Sequence, residues 1–284
     1  MKRLNPLNDF LFLKLMGEEG DEVQCLSFLN AVLSSKNKNP ITLIKILENK
    51  TFTAEIIGDK SCILDVRAQT DTGDRINIEV QLNDLHNMDK RTLYYWGREY
   101  TKGIGKGDDY MDLPKVININ IVNFDQIKLD DFHTCFHLWE DDHKDYLLSD
   151  VLEIHFINMI KYKMYKIRSK ENRSEDASPL VRWLTFLDKD SSEDELEEVI
   201  QMDAAISRAN DRLNFVSQDQ KFLRAYEIRE KALHDQTAIV NTATAKGEYK
   251  KAVEVAKNAL AEGSSIEFIS RITGLNIETI KGLQ

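Results

Sequence analysis

The feature that most constrains the fold is one stretch that reads as two β-strands around a tight turn, ILDVRAQTDTGDRINIEVQ, residues 63–81. Its second strand alternates between apolar and polar side chains, and successive side chains of a strand point to opposite faces of a sheet. The apolar face is Ile76, Ile78 and Val80, and the polar face is Asn77, Glu79 and Gln81. The apolar face must pack on a hydrophobic core, so we expect the polar face to look into a cleft or into solvent.

The turn determines which residues of the two strands lie opposite each other. If Asp71-Thr72-Gly73 is a three-residue loop, with Gly73 in the left-handed conformation, the pairing is symmetric about Thr72. Asp65 then lies opposite Glu79, with the Cβ atoms roughly 4.5–5.5 Å apart. Two like charges at that separation destabilise a sheet, so we expect a shared proton or a cation to relieve them.

A divalent cation is the better of these two solutions. Carboxylate oxygens are hard ligands that suit Mg²⁺ or Mn²⁺, and an ion held by Asp65 and Glu79 alone keeps positions open for water and for a phosphate oxygen. Such an ion lowers the pKa of bound water and stabilises charge on a phosphoryl group. The alternative is that both acids lie at solvent-exposed strand ends and have no chemical role. The residue pattern by itself leaves both alternatives open.

Composition limits the class of protein. The 284 residues are 42% hydrophobic and 30% charged, as in ordinary globular proteins. We expect no membrane segment, since no apolar run reaches the ~20 residues that span a bilayer, and no secretory signal. Cys25, Cys62 and Cys135 form no CxxC pair and no even disulfide set, which favours a reduced, cytoplasmic protein. The net charge of −10 argues against non-specific coating of nucleic acid, but it permits a local basic surface for DNA.

The order of predicted elements indicates an α/β fold. Helices over residues 8–34 precede the hairpin, a helix over residues 88–104 follows it, and KVININIVNF and VLEIHFINM, residues 115–124 and 151–159, are strand-like. A polar loop or linker is predicted over residues 168–179, and helical segments are predicted beyond it. We therefore expect a core over residues 1–165, a helical region over 166–262 and a short helix-turn-helix-like tail over 263–284.

The predicted helix after the hairpin has a basic face. Residues at i, i+4, i+7 and i+11 share one side of a helix, and here they are Arg91, Tyr95, Arg98 and Lys102. An apolar stripe of Leu93, Trp96, Tyr100 and Ile104 is expected to face the core. Cations interleaved with an aromatic ring, close to the hairpin, suit contact with a DNA backbone. The alternative is an ordinary solvated helix face with Tyr95 half buried.

Other familiar catalytic and metal-binding patterns are missing from the sequence. His133 and His137 are four residues apart, but FHTCFHLWEDD has no zinc-binding spacing, so we predict core or surface histidines here. The sequence contains no glycine-rich phosphate loop in a strand-to-helix context, and we expect no small-molecule cofactor.

An Asp on one strand and Glu-x-Gln on the next, between two helices, resembles the PD-(D/E)XK nuclease superfamily, and within it the recombination-promoting nuclease and transposase family. The segments that carry the resemblance are NDFLFLKLMGEEG, ILDVRAQTDTGDRINIEVQ, KRTLYYWGREYTKGIGKGDDY and KVININIVNF. The resemblance implies a restriction-endonuclease-like core of helix, antiparallel hairpin, helix and strand. It also implies an endonuclease that acts on DNA with Mg²⁺ or Mn²⁺.

The resemblance also implies roles for single residues. Asp65 and Glu79 match the motif acids that bind metal, and Gln81 stands where the motif has a Lys that orients the attacking water. Gln can orient water through hydrogen bonds, but it carries no charge. A further acid often comes from the first helix, and Asp9 is the candidate. Its alternative role is that of a first-turn acid stabilised by the helix dipole, with Asn8 as the cap.

We therefore expect hydrolysis of DNA phosphodiester bonds, with a possible homodimer whose two sites cut both strands. The competing hypothesis is a non-catalytic DNA- or protein-binding module on the same fold, because the chain is acidic and Gln81 replaces the motif Lys. An RNA nuclease is a third hypothesis, since metal-activated water does not distinguish the two sugars.

Overall fold

The structure, a computed structural model, describes residues 3–34, 39–47, 65–102, 104–171 and 178–283. Cys62 and the first residues of the predicted hairpin, Ile63 and Leu64, lie outside these ranges. The strands are β1 Ile44–Ile46, β2 Val66–Thr70, β3 Arg75–Gln81, β4 Val116–Val122, β5 His133–Trp139 and β6 Leu147–Asn158. The helices are α1 Asp9–Met16, α2 Val23–Leu33, α3 Met88–Tyr100, α4 Met159–Glu171, α5 Pro179–Leu187, α6 Glu193–Met202, α7 Ala204–Val216, α8 Gln220–Ala261, α9 Ile266–Thr273 and α10 Ile277–Lys281.

The strands form one mixed sheet in the order β1-β2-β3-β4-β6-β5. β4 pairs in parallel with both β3 and β6, whereas the other neighbours are antiparallel. All seven residues of β4 are buried, as expected for a strand whose sheet is covered on both faces. The predicted α/β class is confirmed. β5 was not predicted, and β6 begins four residues earlier than the sequence pattern indicated.

The register of the hairpin is the predicted one. The pairs are Val66 with Ile78, Arg67 with Asn77, Ala68 with Ile76, and Gln69 with Arg75. The Thr70 N–H donates to Asp74 O at 3.0 Å and closes the loop 71–73, in which Gly73 has a φ of +91°. Because the pairing is symmetric about Thr72, Asp65 is the next residue in register with Glu79.

One face of the sheet carries the main hydrophobic core. The apolar side chains of β2, β3 and β4 pack there against α1, α2, α5 and α7, and they include Val66, Ala68, Ile76, Ile78, Val80, Ile117, Ile119 and Ile121. On the helix side, Phe28 meets Phe12 and Trp183 edge to face, at centroid distances of 6.2 and 5.9 Å. The predicted apolar face of β3 is therefore buried as expected.

α3 covers the opposite face of the sheet. Asn118 Nδ2 donates to Thr92 O at 3.0 Å, and Trp96 Nε1 donates to Val116 O at 3.2 Å. The predicted apolar stripe is wrong at Leu93, which is 52% exposed. It is also wrong at Ile104, which lies beyond the end of α3. The helix packs through buried Thr92 instead, because the β4 face below it presents asparagine side chains that need hydrogen-bond partners.

The chain folds as two compact units, Met1–Ala232 and Leu233–Gln284. In the second unit α9 and α10 meet at Gly274, whose φ of +71° ends α9, and Asn276 caps α10. Ala256, Ile269, Leu275 and Ile280 form its small core. The domain boundaries predicted at residues 165 and 262 stay a prediction. Among the described helices, we find none with the length and hydropathy needed to cross a membrane.

Candidate active site

The polar face of the hairpin lies under α3. Asp65 and Arg67 point to the same side as Glu79, because paired residues of adjacent strands share a face. The Glu79 side chain is only 2% exposed and the Asp65 side chain 16%, so Glu79 lies deep and Asp65 lies nearer the surface. The polar face therefore looks into a covered cleft and not into open solvent.

Burial controls the protonation of Glu79. Desolvation raises the pKa of Glu79 to about 7, Arg91 opposes this shift, and the negative charge of Asp65 adds to it. Arg91 Nη2 lies 2.5 Å from Glu79 Oε1. The two atoms form an ion pair by distance, but Oε1 has no aligned hydrogen bond. Glu79 thus has a buried oxygen that lies beside the guanidinium group of Arg91.

Asp65 also has an arginine partner. Arg67 Nε lies 2.8 Å from Asp65 Oδ2, and Nη2 lies 3.5 Å from Oδ1. Arg67 Nε is 3.8 Å from Glu99 Oε1 as well. From the sequence, only a shared proton or a cation was expected to relieve the repulsion between Asp65 and Glu79. The structure shows a further means, since each acid lies beside its own guanidinium group.

Gln81 lies at the end of β3 on the same face as Glu79. Its Nε2 donates to Asn83 O at 2.8 Å, which orients the amide along the chain that leaves the strand. This contact fixes the plane of the amide. The water-orienting role of Gln81 stays a prediction.

Asp9 is buried at the start of α1, and Asn8 caps that helix as predicted. Arg229 of α8 holds both carboxylate oxygens, with Nε 2.9 Å from Oδ1 and Nη2 2.5 Å from Oδ2. The charge of Asp9 contributes to the raised pKa of Glu79. Nevertheless, single oxygens of Asp9, Asp65 and Glu79 do not lie within 4.8 Å of one another as a group of three. The role of Arg229 as the partner of Asp9 was not predicted from the sequence, in which the two residues are 220 positions apart.

The predicted basic face of α3 forms around Tyr95. The guanidinium carbons of Arg91 and Arg98 lie 5.7 and 5.2 Å from the centroid of the Tyr95 ring. Arg98 is exposed, whereas Arg91 turns inward to Glu79. Lys102 Nζ lies 2.9 Å from Glu99 Oε1. The structure therefore brings Arg91, Tyr95 and Arg98 together, and it places Lys102 on a neighbouring acid.

A cleft of about 470 Å³ adjoins the hairpin acids through Arg67. Its charged lining residues are Lys45, Arg67, Arg75, Lys102, Glu19 and Glu99. The cations of β1, β2 and β3 were not predicted from the sequence. The signal was available, because Arg67 and Arg75 fall on the polar face by the same alternation that places Asp65 and Glu79 there.

Comparison with known families gives one match. The model of a family described as PD-(D/E)XK nuclease family transposase matches residues 6–243, a span that includes α1, the hairpin, α3 and the sheet. No curated protein and no solved structure matches the chain. Because the matched span is most of the 284 residues, the chain belongs to the PD-(D/E)XK nuclease family transposases.

Proposed function

We propose that the chain is a divalent-metal-dependent DNA endonuclease of the recombination-promoting nuclease and transposase type, which hydrolyses phosphodiester bonds. The observation that carries this proposal is the hairpin of a nuclease-family chain, where Asp65 and buried Glu79 lie in register on one face beside a basic cleft. A DNA nicking assay tests both the nuclease activity and its dependence on Mg²⁺ or Mn²⁺.

The hairpin residues fit a hard cation. Asp65 and Glu79 supply oxygen donors only, which suits Mg²⁺ or Mn²⁺. Glu79 Oε1 is buried without an aligned hydrogen bond, and a cation there would hold the carboxylate ionised at neutral pH. When bound, the ion lowers the pKa of a water molecule and offsets charge on the phosphate.

The chain's own residues have separate roles in this proposal. Asp65 and Glu79 hold the ion, and the amide of Gln81 orients the attacking water. Arg91 beside Glu79 and Arg67 beside Asp65 keep the acids charge-balanced when no ion is bound. We assign Asp9 a positioning role, because Arg229 occupies both of its oxygens.

DNA would be held by cations at the rim of the site. Arg98 is exposed on the Tyr95 face of α3, and Lys45 and Arg75 line the cleft beside the hairpin. Contacts of this kind bind phosphates and carry no information about base sequence. A two-fold dimer would place two such sites on the two strands, and sedimentation of the DNA complex tests that arrangement.

A specific observation favours the competing function, a non-catalytic DNA- or protein-binding module. Both acids already have arginine partners, so the hairpin is charge-balanced without an ion. If those arginines keep their places in the presence of Mg²⁺, the same surface would bind phosphates without cutting them.

Nicking of supercoiled DNA tests the proposal. The purified chain is assayed with Mg²⁺, with Mn²⁺ and with a chelator, and structured RNA is assayed in parallel. We expect cleavage of DNA only with metal, and a loss of at least ~100-fold in Asp65→Asn and Glu79→Gln, since even groups behind metal ligands are worth 10–100-fold. Asp71→Asn, an exposed acid in the turn of the same hairpin, is the matched control and should keep full activity.

Two results would reject the enzyme. Nicking that persists in both Asp65→Asn and Glu79→Gln would assign it to another site or to a contaminant. DNA binding by the folded wild-type chain, with no nicking in either metal, would identify the binding module.

A further inference from the structure

A cluster of metal-ligating side chains lies where β5 and β6 pair. Each strand contributes two residues at i and i+2, which share a face of a strand: Cys135 and His137 on β5, and Glu153 and His155 on β6. Cys135 is directly opposite His155 in the register. Two short pairs on adjacent antiparallel strands thereby place four potential ligands on one face of the sheet.

The pairing of β5 with β6 is irregular at His137. The register between β5 and β6 shifts between Phe136 and Leu138, on either side of this residue. Irregular pairing, of which β-bulges are the common kind, changes the direction of side chains relative to a regular strand. Here the His137 ring presents Nδ1 to Cys135 Sγ at 3.8 Å and Nε2 to Glu153 Oε2 at 3.5 Å.

The cluster lies on the face of the sheet opposite the hairpin acids. Glu79 pairs with Asn120, and Asn120 pairs with Phe156, so these three residues share the α3 face. His155 pairs with Ile119, which belongs to the main core face. This inference therefore goes beyond the proposed nuclease activity and does not depend on it.

Three of the residues offer donor atoms within reach of one ion, and the fourth, His155, lies beside them. Cys135 Sγ, a ring nitrogen of His137 and an oxygen of Glu153 lie within 4.8 Å of one another, and within the described ranges they are the one group of three or more such residues that does so. His155 Nε2 is 3.7 Å from Cys135 Sγ and 2.9 Å from Glu153 Oε1. Around Zn²⁺, bonds of ~2.3 Å to sulfur and ~2.0–2.1 Å to nitrogen or oxygen place neighbouring donors roughly 3.3–3.6 Å apart.

Neighbouring groups hold the rings and the carboxylate of this cluster in place. His155 uses its other nitrogen, Nδ1, to meet His133 Nε2 at 2.9 Å. Metal-bound histidines commonly make such a second hydrogen bond, which fixes the ring and its tautomer. Glu153 is fully buried, and Lys115 Nζ lies 2.6 Å from its Oε2, which offsets its charge.

We propose that Cys135, His137, Glu153 and His155 bind one transition-metal ion of the Zn²⁺ class. Sulfur and imidazole donors select such an ion over Mg²⁺, which prefers oxygen. On binding, the Cys135 thiol loses its proton to solvent and its sulfur bonds to the ion, so one proton is released for each ion bound. The ion joins the edge strand β5 to β6 and stabilises this end of the sheet.

Cobalt titration of the full-length, chelator-treated chain tests this site. Co²⁺ should bind at about one ion per chain and give the near-ultraviolet absorption of a cobalt–thiolate bond, which Zn²⁺ then removes. That absorption reports sulfur-bound ions only, so an ion at Asp65 and Glu79 does not contribute to it. Zn²⁺ in ~100-fold excess over its dissociation constant should also raise the melting temperature by about 5 °C.

Matched variants locate the ligands. Cys135→Ser should lose the thiolate absorption, and His137→Gln should weaken Co²⁺ binding by at least ~10-fold. The other two cysteines and an exposed histidine of the β5–β6 turn serve as controls, as Cys25→Ala, Cys62→Ser and His143→Gln, and these should leave the absorption unchanged.

The proposal is overturned if the folded wild-type chain gives no thiolate absorption, or if Cys135→Ser keeps it. It is also overturned if Zn²⁺ leaves the melting temperature of the wild-type chain unchanged, a result that does not require any variant to fold. Absorption that persists in Cys135→Ser would assign the ion to another cysteine. A wild-type chain without thiolate absorption and without a Zn²⁺-dependent rise in melting temperature would have a metal-free network in which Lys115 and the neighbouring histidines stabilise Glu153.

Discussion

The two faces of the sheet stabilise buried carboxylates in different ways. Under α3, Asp65 and Glu79 each lie beside an arginine, and their potential ligands are oxygens only. On the opposite face, Glu153 meets a lysine and a histidine, with sulfur and a second imidazole within 4 Å of these groups. The difference in donor atoms predicts a difference in ions, a hard cation on the first face and a soft one on the second.

The buried pair of Asp9 and Arg229 joins α1, which packs on the main core face, to α8, and breaking that pair should have the largest effect on stability. Removing one partner of a buried ion pair leaves an uncompensated charge, which costs about 3–5 kcal/mol. We expect Arg229→Met to lower the free energy of unfolding by that amount in urea titrations. Arg224→Met, on an exposed position of the same helix, should change it by less than ~0.5 kcal/mol. A loss below ~1 kcal/mol in Arg229→Met would show that the pair does not stabilise the packing of α1 against α8.

Glu79 lies on the α3 face, and its raised pKa predicts that the free energy of unfolding depends on pH. Its pKa is about 7 in the folded chain and 4.5 when unperturbed, so the folded state binds the proton more tightly. Stability must therefore fall as pH rises from about 4.5 to 7, by about 3 kcal/mol for this group. The free energy of unfolding of the ion-free wild type, compared with that of Glu79→Gln at each pH, isolates this contribution. Mg²⁺ should reduce the fall, and a difference that is constant with pH would contradict the assignment.

A crossed experiment asks whether the two faces act independently. Asp65→Asn should lower DNA nicking by at least ~100-fold, because it removes a ligand of the hard ion. The same variant should bind Co²⁺ with undiminished thiolate absorption, since Asp65 is on the other side of the sheet. Loss of both signals in a variant that melts like wild type would mean that one metal site, and not two, explains the chain's ion binding.

The smallest effect is expected at the rim of the α3 face. Arg98→Ala removes one exposed phosphate contact, so DNA affinity should fall by about 3–10-fold and the salt dependence of binding should decrease by about one ion. Fluorescence anisotropy without divalent ions measures both quantities. Lys90→Ala carries the same charge change on an exposed position of α3 and should weaken binding less. Equal losses in the two variants would indicate that only net charge matters.

The sequence predicted the hairpin well because its determinants are local. A left-handed Gly73 and strict alternation in β3 fixed the register, and through it the side on which Asp65 and Glu79 lie. The same alternation identified β4. The cap at Asn8 was equally local, and the structure confirms it.

Interactions between distant segments could not be predicted in this way. No periodicity links Asp9 to Arg229, and nothing local indicates that Arg91 turns inward to Glu79. β5 was missed because HTCFHLW is a half-exposed edge strand without the apolar alternation of β3 and β4. The sequence signal for the proposed metal site consists of two short motifs, CFH on β5 and EIH on β6. The two motifs come together through the pairing of the strands, and no spacing within one segment indicates this.

The pairing of Asp9 with Arg229 has a consequence for synthesis of the chain. Helix α1 is translated before the guanidinium group that neutralises its buried carboxylate, which follows 220 residues later. A nascent or prematurely terminated chain that lacks this arginine cannot bury Asp9 without a large electrostatic cost. Helix α1 therefore acquires its final packing only after Arg229 has left the ribosome, so assembly of the hairpin site waits for a segment that is translated much later.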